Sequence, residues 1–188
     1  MRHLSKILIA LGANLQTGEL SLAQTVHAAS QALATEHVRV TATSRLFASP
    51  CFPAGAGPDY VNAAAVLETA LTPQDLLAHL HDVEATFRRE RQTRWGRRTL
   101  DLDLLAYGDL VLPDLATQTE WRNLPAQDQS LQTPQTLILP HPRIQDRAFV
   151  LVPLADIAPD WRHPILGQTV AQMLALLDPA DIRAVTPL

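Results

Sequence analysis

Asp101 and Asp103 stand in the stretch LDLDLLAYG, two carboxylates inside an otherwise apolar alternation. On a strand, successive side chains point to opposite faces, so Leu100, Leu102 and Leu104 share one face and both aspartates the other. At ~3.3 Å per residue the two carboxylates lie roughly 6–7 Å apart. Aspartate is a poor strand residue, and like charges on one face repel. A divalent cation removes both objections, because Mg²⁺ accepts one or two carboxylates and completes its shell with water and phosphate oxygens. The other reading is a solvated outer face with arginine neighbours, and the pattern alone leaves both standing.

Of 14 arginines, six (Arg88, Arg89, Arg91, Arg94, Arg97 and Arg98) crowd in just ahead of the aspartates, with only Glu90 to offset them. A helix end that complements its own dipole accounts for the first of these. It does not account for Arg94, Arg97 and Arg98, which lie past the helix. Guanidinium groups bind phosphate bidentately and keep their charge, so carboxylates, metal and arginines together form a set suited to a polyphosphate. The net charge of -4 excludes a nucleic-acid binder by overall charge, and the local basic patch points to a small anionic ligand.

Further along the chain, Tyr60 and Asn62 share a strand face. The pair suits a flat heteroaromatic ring or, equally, an ordinary hairpin edge. Glu84 sits on the apolar stripe of a helix, where a carboxylate needs a partner, either an arginine or a ligand group. His141, between two prolines and followed by Arg143 and Arg147, lies in a rigid loop able to contact phosphate. The chain contains no GxxxxGK[ST], GxGxxG or GxSxG motif. The single cysteine, Cys51, excludes an internal disulfide and fits a reducing cytoplasm.

These residues need elements to position them. KILIAL (6–11) reads as a buried central strand broken by Gly12 and Asn14, not as a signal peptide. Ser21 with Gln24 is a capping box opening a helix over 22–36. A strand follows from Val38 to about Phe47, then a proline- and glycine-rich loop over 48–59, and a strand from Tyr60 to Thr69. Thr72 and Pro73 start a helix that runs to about Arg89. Leu100 to Tyr107 is the next strand. Residues 109–136 have no clear period and read as a second long loop. AFVLVPLADIAP is ambiguous between helix and strand, and Thr169 caps a last helix. The order predicts an α+β fold of the ferredoxin-like βαββαβ kind: an antiparallel sheet with helices on one face, the other face free for ligand, and extra C-terminal helices. At 188 residues this is one domain over 1–188, with no membrane span.

The motifs together resemble the 6-hydroxymethyl-7,8-dihydropterin pyrophosphokinase family of folate biosynthesis, from about residue 7 to 160. LGANL (11–15) is similar to the family's first-strand LGSNL, and PDYVNAAAVLET (58–69) to its pterin-binding strand. RRERQTRWGRRTLDLDLLAYG and LPHPRIQDRAFVLVPLADIAP are similar to its signature region and the segment after it. The resemblance implies transfer of pyrophosphate from ATP to the pterin hydroxymethyl group, with release of AMP. Asp101 and Asp103 would hold two Mg²⁺ ions, with Asp103 a candidate base. Tyr60 and Phe149 would sandwich the pterin and Asn62 would bond its edge, with backbone groups around Ser49 and Phe52 completing the pocket. Arg89, Arg91 and Arg98 would neutralise phosphate, assisted by His141 and Arg147. Glu84, Leu104 and Ile138 would lie near the nucleoside, and Trp95 would belong to a closing loop. The resemblance further implies a cytoplasmic monomer with small-molecule substrates and no nucleic-acid or membrane partner.

Several positions depart from the family pattern. Ala13 replaces a serine, Arg97 stands where proline is common, and Thr136 stands where some members carry an arginine near ATP. The 109–136 segment, with Trp121 and Arg122, is longer than in compact members; a lid, a partner surface and a tolerated insertion all stay open. Two other classes compete. A glycosyltransferase-type DxD site, the main alternative Mg-dependent nucleotide transferase, is disfavoured by small size and antiparallel order. A ferredoxin-like RNA-binding module is disfavoured by carboxylates on its binding face and an aromatic content of 5%.

Overall fold

The first apolar run becomes β1 (Ser5–Ala13) in the computed structural model, which describes residues 5–16, 18–51, 57–87, 99–125, 128 and 132–188. The strand continues through Gly12 rather than breaking there, because Gly12 and Ala13 pair with Asn62 and Val61. The capping box of Ser21 and Gln24 opens α1 (Leu22–Ala32), which is shorter than predicted. The predicted strand after it is two strands, β2 (Val38–Thr43) and β3 (Phe47–Ser49). Ser44 makes the break. Its backbone N–H donates to the Ala64 carbonyl, while its hydroxyl accepts from the Ala64 N–H at 2.9 Å. Then follow β4 (Tyr60–Thr69), α2 (Pro73–Thr86) and β5 (Asp101–Tyr107).

The sheet order is β5-β1-β4-β3, with β2 also on β4, and the pairings are antiparallel. β4 is long enough to carry β3 beside its first residues and β2 beside its last. One sheet face is buried under α1 and α2. Ile7, Ile9, Leu11, Ala63, Leu67, Leu102 and Leu104 meet Val26, Ala29, Leu76 and Leu80 there.

The other face is not wholly free, contrary to expectation. AFVLVPLADIAP, ambiguous in sequence because it is apolar on every side, is a helix, α4 (Ala148–Ile157). It and α5 (Val170–Ala175) cover Leu8, Ala64, Val66, Leu105 and Ala106. A β-bulge lets β5 serve both layers. The β1–β5 register shifts between Leu8 and Ile9, so Leu105 and Ala106 both reach the second layer while Tyr107 returns to the first.

The 109–136 segment is likewise not a bare loop. Asp114 caps α3 (Leu115–Asn123) by accepting from the Thr117 N–H at 2.9 Å. The helix is polar, which hid its period. A short helix, α6 (Pro179–Arg183), and a two-residue strand, β6 (Thr186–Pro187), follow α5, and β6 pairs with β3. No helix among the described residues is long and apolar enough to cross a membrane.

Candidate active site

Register carries the aspartates to their neighbours. Asp101 lies opposite Gly12, Gly12 opposite Asn62, and Asn62 opposite Phe47, in one row across four strands. Asp103 begins the next row, opposite Ala10 and Ala64. With strands ~4.8 Å apart, Asp101 and Asn62 are separated by roughly 10 Å along the row. Both aspartates are half-buried, on the part of the second face that α4 and α5 leave uncovered.

The floor between them is bare. A Cβ at Gly12 would stand 3.5 Å from Asn62 Oδ1 and 3.9 Å from Tyr60 Cδ1. Sequence reading took Gly12 only as a breaker, since its place between a carboxylate and an amide is a matter of pairing. The buried Asn62 amide donates from Nδ2 to the buried Ser49 Oγ at 2.8 Å, which fixes its plane. Tyr60 pairs with Ser49 in the adjacent row, on the side of Asn62 away from Ala64. Asn14, also passed over in sequence, donates from Nδ2 to the Pro58 carbonyl at 3.3 Å and tethers the loop entering β4.

Phe149, in the first turn of α4, is 37% exposed, unusual for a ring of its size. The Arg147 guanidinium lies 5.6 Å from that ring's centre, and its Nη1 is 3.9 Å from Asp103 Oδ2. Arg147 thus links the aromatic and acidic parts of the site. His141 is held by its own backbone: its N–H donates to the Leu105 carbonyl at 2.8 Å, and its Nδ1 accepts from the Arg143 N–H at 3.1 Å. Burial first, then the Arg147 charge, pushes the imidazole down to about 3, against the opposing pull of Asp101. It is therefore neutral near pH 7, with its proton on Nε2.

The predicted partners of Glu84 were an arginine or a ligand. The structure adds a backbone amide to its contacts: Glu84, 1% exposed, accepts from the Leu102 N–H at 2.8 Å. It thereby pins the strand residue between the two aspartates. Arg143, expected at a phosphate, turns inward to the carbonyls of Arg122 and Leu124, at 3.1 and 2.6 Å. Leu104 and Ile138 are buried. Beside Ile138, a cleft of about 400 Å³ opens between α2 (Gln74, Leu77, His81) and residues 135–137. Phe52, Arg89, Arg91, Trp95 and Arg98, with Arg88, Arg94 and Arg97, lie outside the described residues.

The donor set bears on the metal. Among the described residues no three His, Cys, Asp or Glu side chains converge. Two carboxylates alone fit Mg²⁺, which takes its remaining oxygens from water and phosphate, better than zinc, which wants three or four protein ligands.

The family model described as 7,8-dihydro-6-hydroxymethylpterin-pyrophosphokinase matches residues 8–159. A 2-amino-4-hydroxy-6-hydroxymethyldihydropteridine pyrophosphokinase of Methylorubrum extorquens is 35% identical over 97% of this chain and 99% of its own. The enzyme of the same name from Synechocystis is 40% identical over 69% of this chain, which spans only 56% of it. A Plasmodium falciparum HPPK-DHPS crystal structure shares the fold with a TM-score of 0.65 at 13% identity, covering 93% of this chain and 44% of that one.

Proposed function

The chain belongs to the 7,8-dihydro-6-hydroxymethylpterin-pyrophosphokinase family, and we propose that it transfers the pyrophosphoryl group of ATP to 6-hydroxymethyl-7,8-dihydropterin, releasing AMP, in folate biosynthesis. The observation that carries this reading is the row Asp101, Gly12, Asn62, in which a metal-competent carboxylate and a ring-reading amide flank a floor without side chains.

In the reaction, the pterin hydroxymethyl oxygen bonds to the β-phosphorus of ATP. The bond from that phosphorus to the α–β bridging oxygen breaks, and the oxygen leaves with AMP. The hydroxyl proton departs to solvent or to Asp103, the candidate base. Asp101 and Asp103 would hold Mg²⁺, two ions in this reading, which would supply charge neutralisation to the phosphates. Tyr60 and Phe149 stack the pterin from either side. Asn62, its plane set by Ser49, reads the ring edge, and the Phe52 backbone completes the pocket. Gly12 lets the ring lie close to the sheet. Arg147 neutralises phosphate charge and His141 Nε2–H donates to a phosphate oxygen, alongside Arg89, Arg91 and Arg98. Glu84 holds β5 in place, while Leu104 and Ile138 lie near the nucleoside. Trp95 is assigned to shielding the substrates from water, as the family resemblance implies. Positioning and electrostatics supply most of the barrier reduction.

The antiparallel order of β5, β1, β4 and β2 supports the ferredoxin-like assignment. Packing of α4 to β6 on the same sheet supports one domain over 1–188.

The test is a product assay with ATP, Mg²⁺ and the pterin. AMP that requires the pterin is the expected product. ADP in its place, or no turnover by folded protein that binds ATP, would sink the proposal.

A further inference from the structure

Buried polar side-chain atoms are nearly always hydrogen-bonded. Among the described residues, the buried ones without a partner come from five residues: Gln118 Oε1, Arg122 Nε and Nη1, Gln145 Oε1, Trp161 Nε1 and His163 Nε2. They converge. Gln118 and Arg122 lie one turn apart on one face of α3. Arg143, two residues before Gln145, grips the end of that helix. The Trp161 and His163 rings meet edge to face with centroids 5.8 Å apart. The Arg122 charge is near enough to His163 to help burial lower its basicity.

The chemistry of the set is one-sided. His163 is fully buried, and its Nδ1 accepts from the N–H groups of Ile165 and Leu166, each at 3.2 Å. Its Nε2 therefore carries the proton and is a donor. The indole nitrogen and both guanidinium nitrogens are donors too, which leaves four unpartnered donors against two amide oxygens. Arginine cannot shed its charge, and Arg122 is half-buried with its Nε and Nη1 enclosed and without a partner, an arrangement that favours an anion. Among the described residues no carboxylate pairs with Arg122, and Asp146, on the same turn as Gln145, is held by Arg143 at 3.2 Å. Water matches this excess of donors around a fixed positive charge less well than an anion does.

We propose that Arg122, Trp161 and His163 form a binding site for a small oxyanion, a phosphate or a carboxylate, which ties the inserted helix α3 to the segment after α4. The site makes α3 an anion-dependent brace rather than a lid over the substrates. It shares no residue with the proposed catalytic site.

The experiment follows thermal unfolding and the indole and imidazole N–H resonances of the full chain in phosphate, acetate or chloride at equal ionic strength. A bound oxyanion at about tenfold its dissociation constant raises the wild-type Tm by about 3–6 °C. It also moves one indole and one imidazole N–H signal, and chloride does neither. Which of phosphate and acetate acts identifies the source. Arg122→Met loses the part of the Tm response that belongs to this site and keeps any phosphate response of the catalytic site. Equal Tm responses in wild type and Arg122→Met, with unmoved N–H signals, would overturn the proposal in favour of internal water. If Arg122→Met does not fold, the wild-type N–H signals decide alone. No arm reads turnover, so the outcome is independent of the pyrophosphoryl assay.

Discussion

At Asp101 and Asp103 the strand tolerates two carboxylates that its own preferences disfavour, and a ligand held by the pair accounts for that cost in the proposed reading. Replacing either with Ala is expected to lower the rate of AMP formation by about 10²–10³, the usual loss for one electrostatic contact to a reacting centre, while the unfolding midpoint in urea stays within error or rises. A wild-type rate in either variant would remove the metal role. Phe149 makes a separate prediction. Stacking is worth about 0.5–1.5 kcal/mol, so Phe149→Ala should raise the KM for pterin roughly 2- to 12-fold and leave the KM for ATP alone. A change in the ATP constant instead would place the ring elsewhere. The residue types were readable in the sequence, but Glu84 and Arg143 were not. Each is a charged side chain that bonds to backbone, and backbone partners have no letter in a sequence.

Among the elements, β5 and α3 depend on those two residues. Glu84→Ala leaves the Leu102 N–H without its carboxylate in a buried setting, and about 1–3 kcal/mol of stability should go with it. Denaturant unfolding measures this, and an unchanged free energy would mean the bond is dispensable. Arg143→Ala frees the last carbonyls of α3. Amide exchange over residues 115–124 should then speed up well before exchange in β1 or β4, with AMP production intact. Uniform protection would show that α3 is held by something else. α3 and α4 were misread for opposite reasons. One has too few apolar residues and the other too many, so neither shows a helical period.

For the whole molecule, acid is the informative variable. Burial, then the Arg122 charge, pushes His163 down to about 4 from an ordinary value near 6.5. Between those values the unfolded chain binds a proton that the folded one refuses. Stability therefore rises with pH and is lost as pH falls from about 6.5 towards 4, by on the order of 2 kcal/mol from this group. Urea titrations at pH 7 and pH 5, in buffer without oxyanions, measure the loss, and His163→Gln should flatten it. Equal loss in wild type and variant would assign the acid sensitivity to other groups.

The sequence by itself determined the alternating strands, the capped helices, the chemistry of the DLD pair and the family, because these are local periods and local residue types. Only the tertiary structure decided that Gly12 lies between Asp101 and Asn62, that α4 and α5 cover part of the second sheet face, and that the Arg122 charge is felt at His163. Those facts depend on strand register and helix docking. Register and docking are set by contacts between residues far apart in the chain, which no local pattern records.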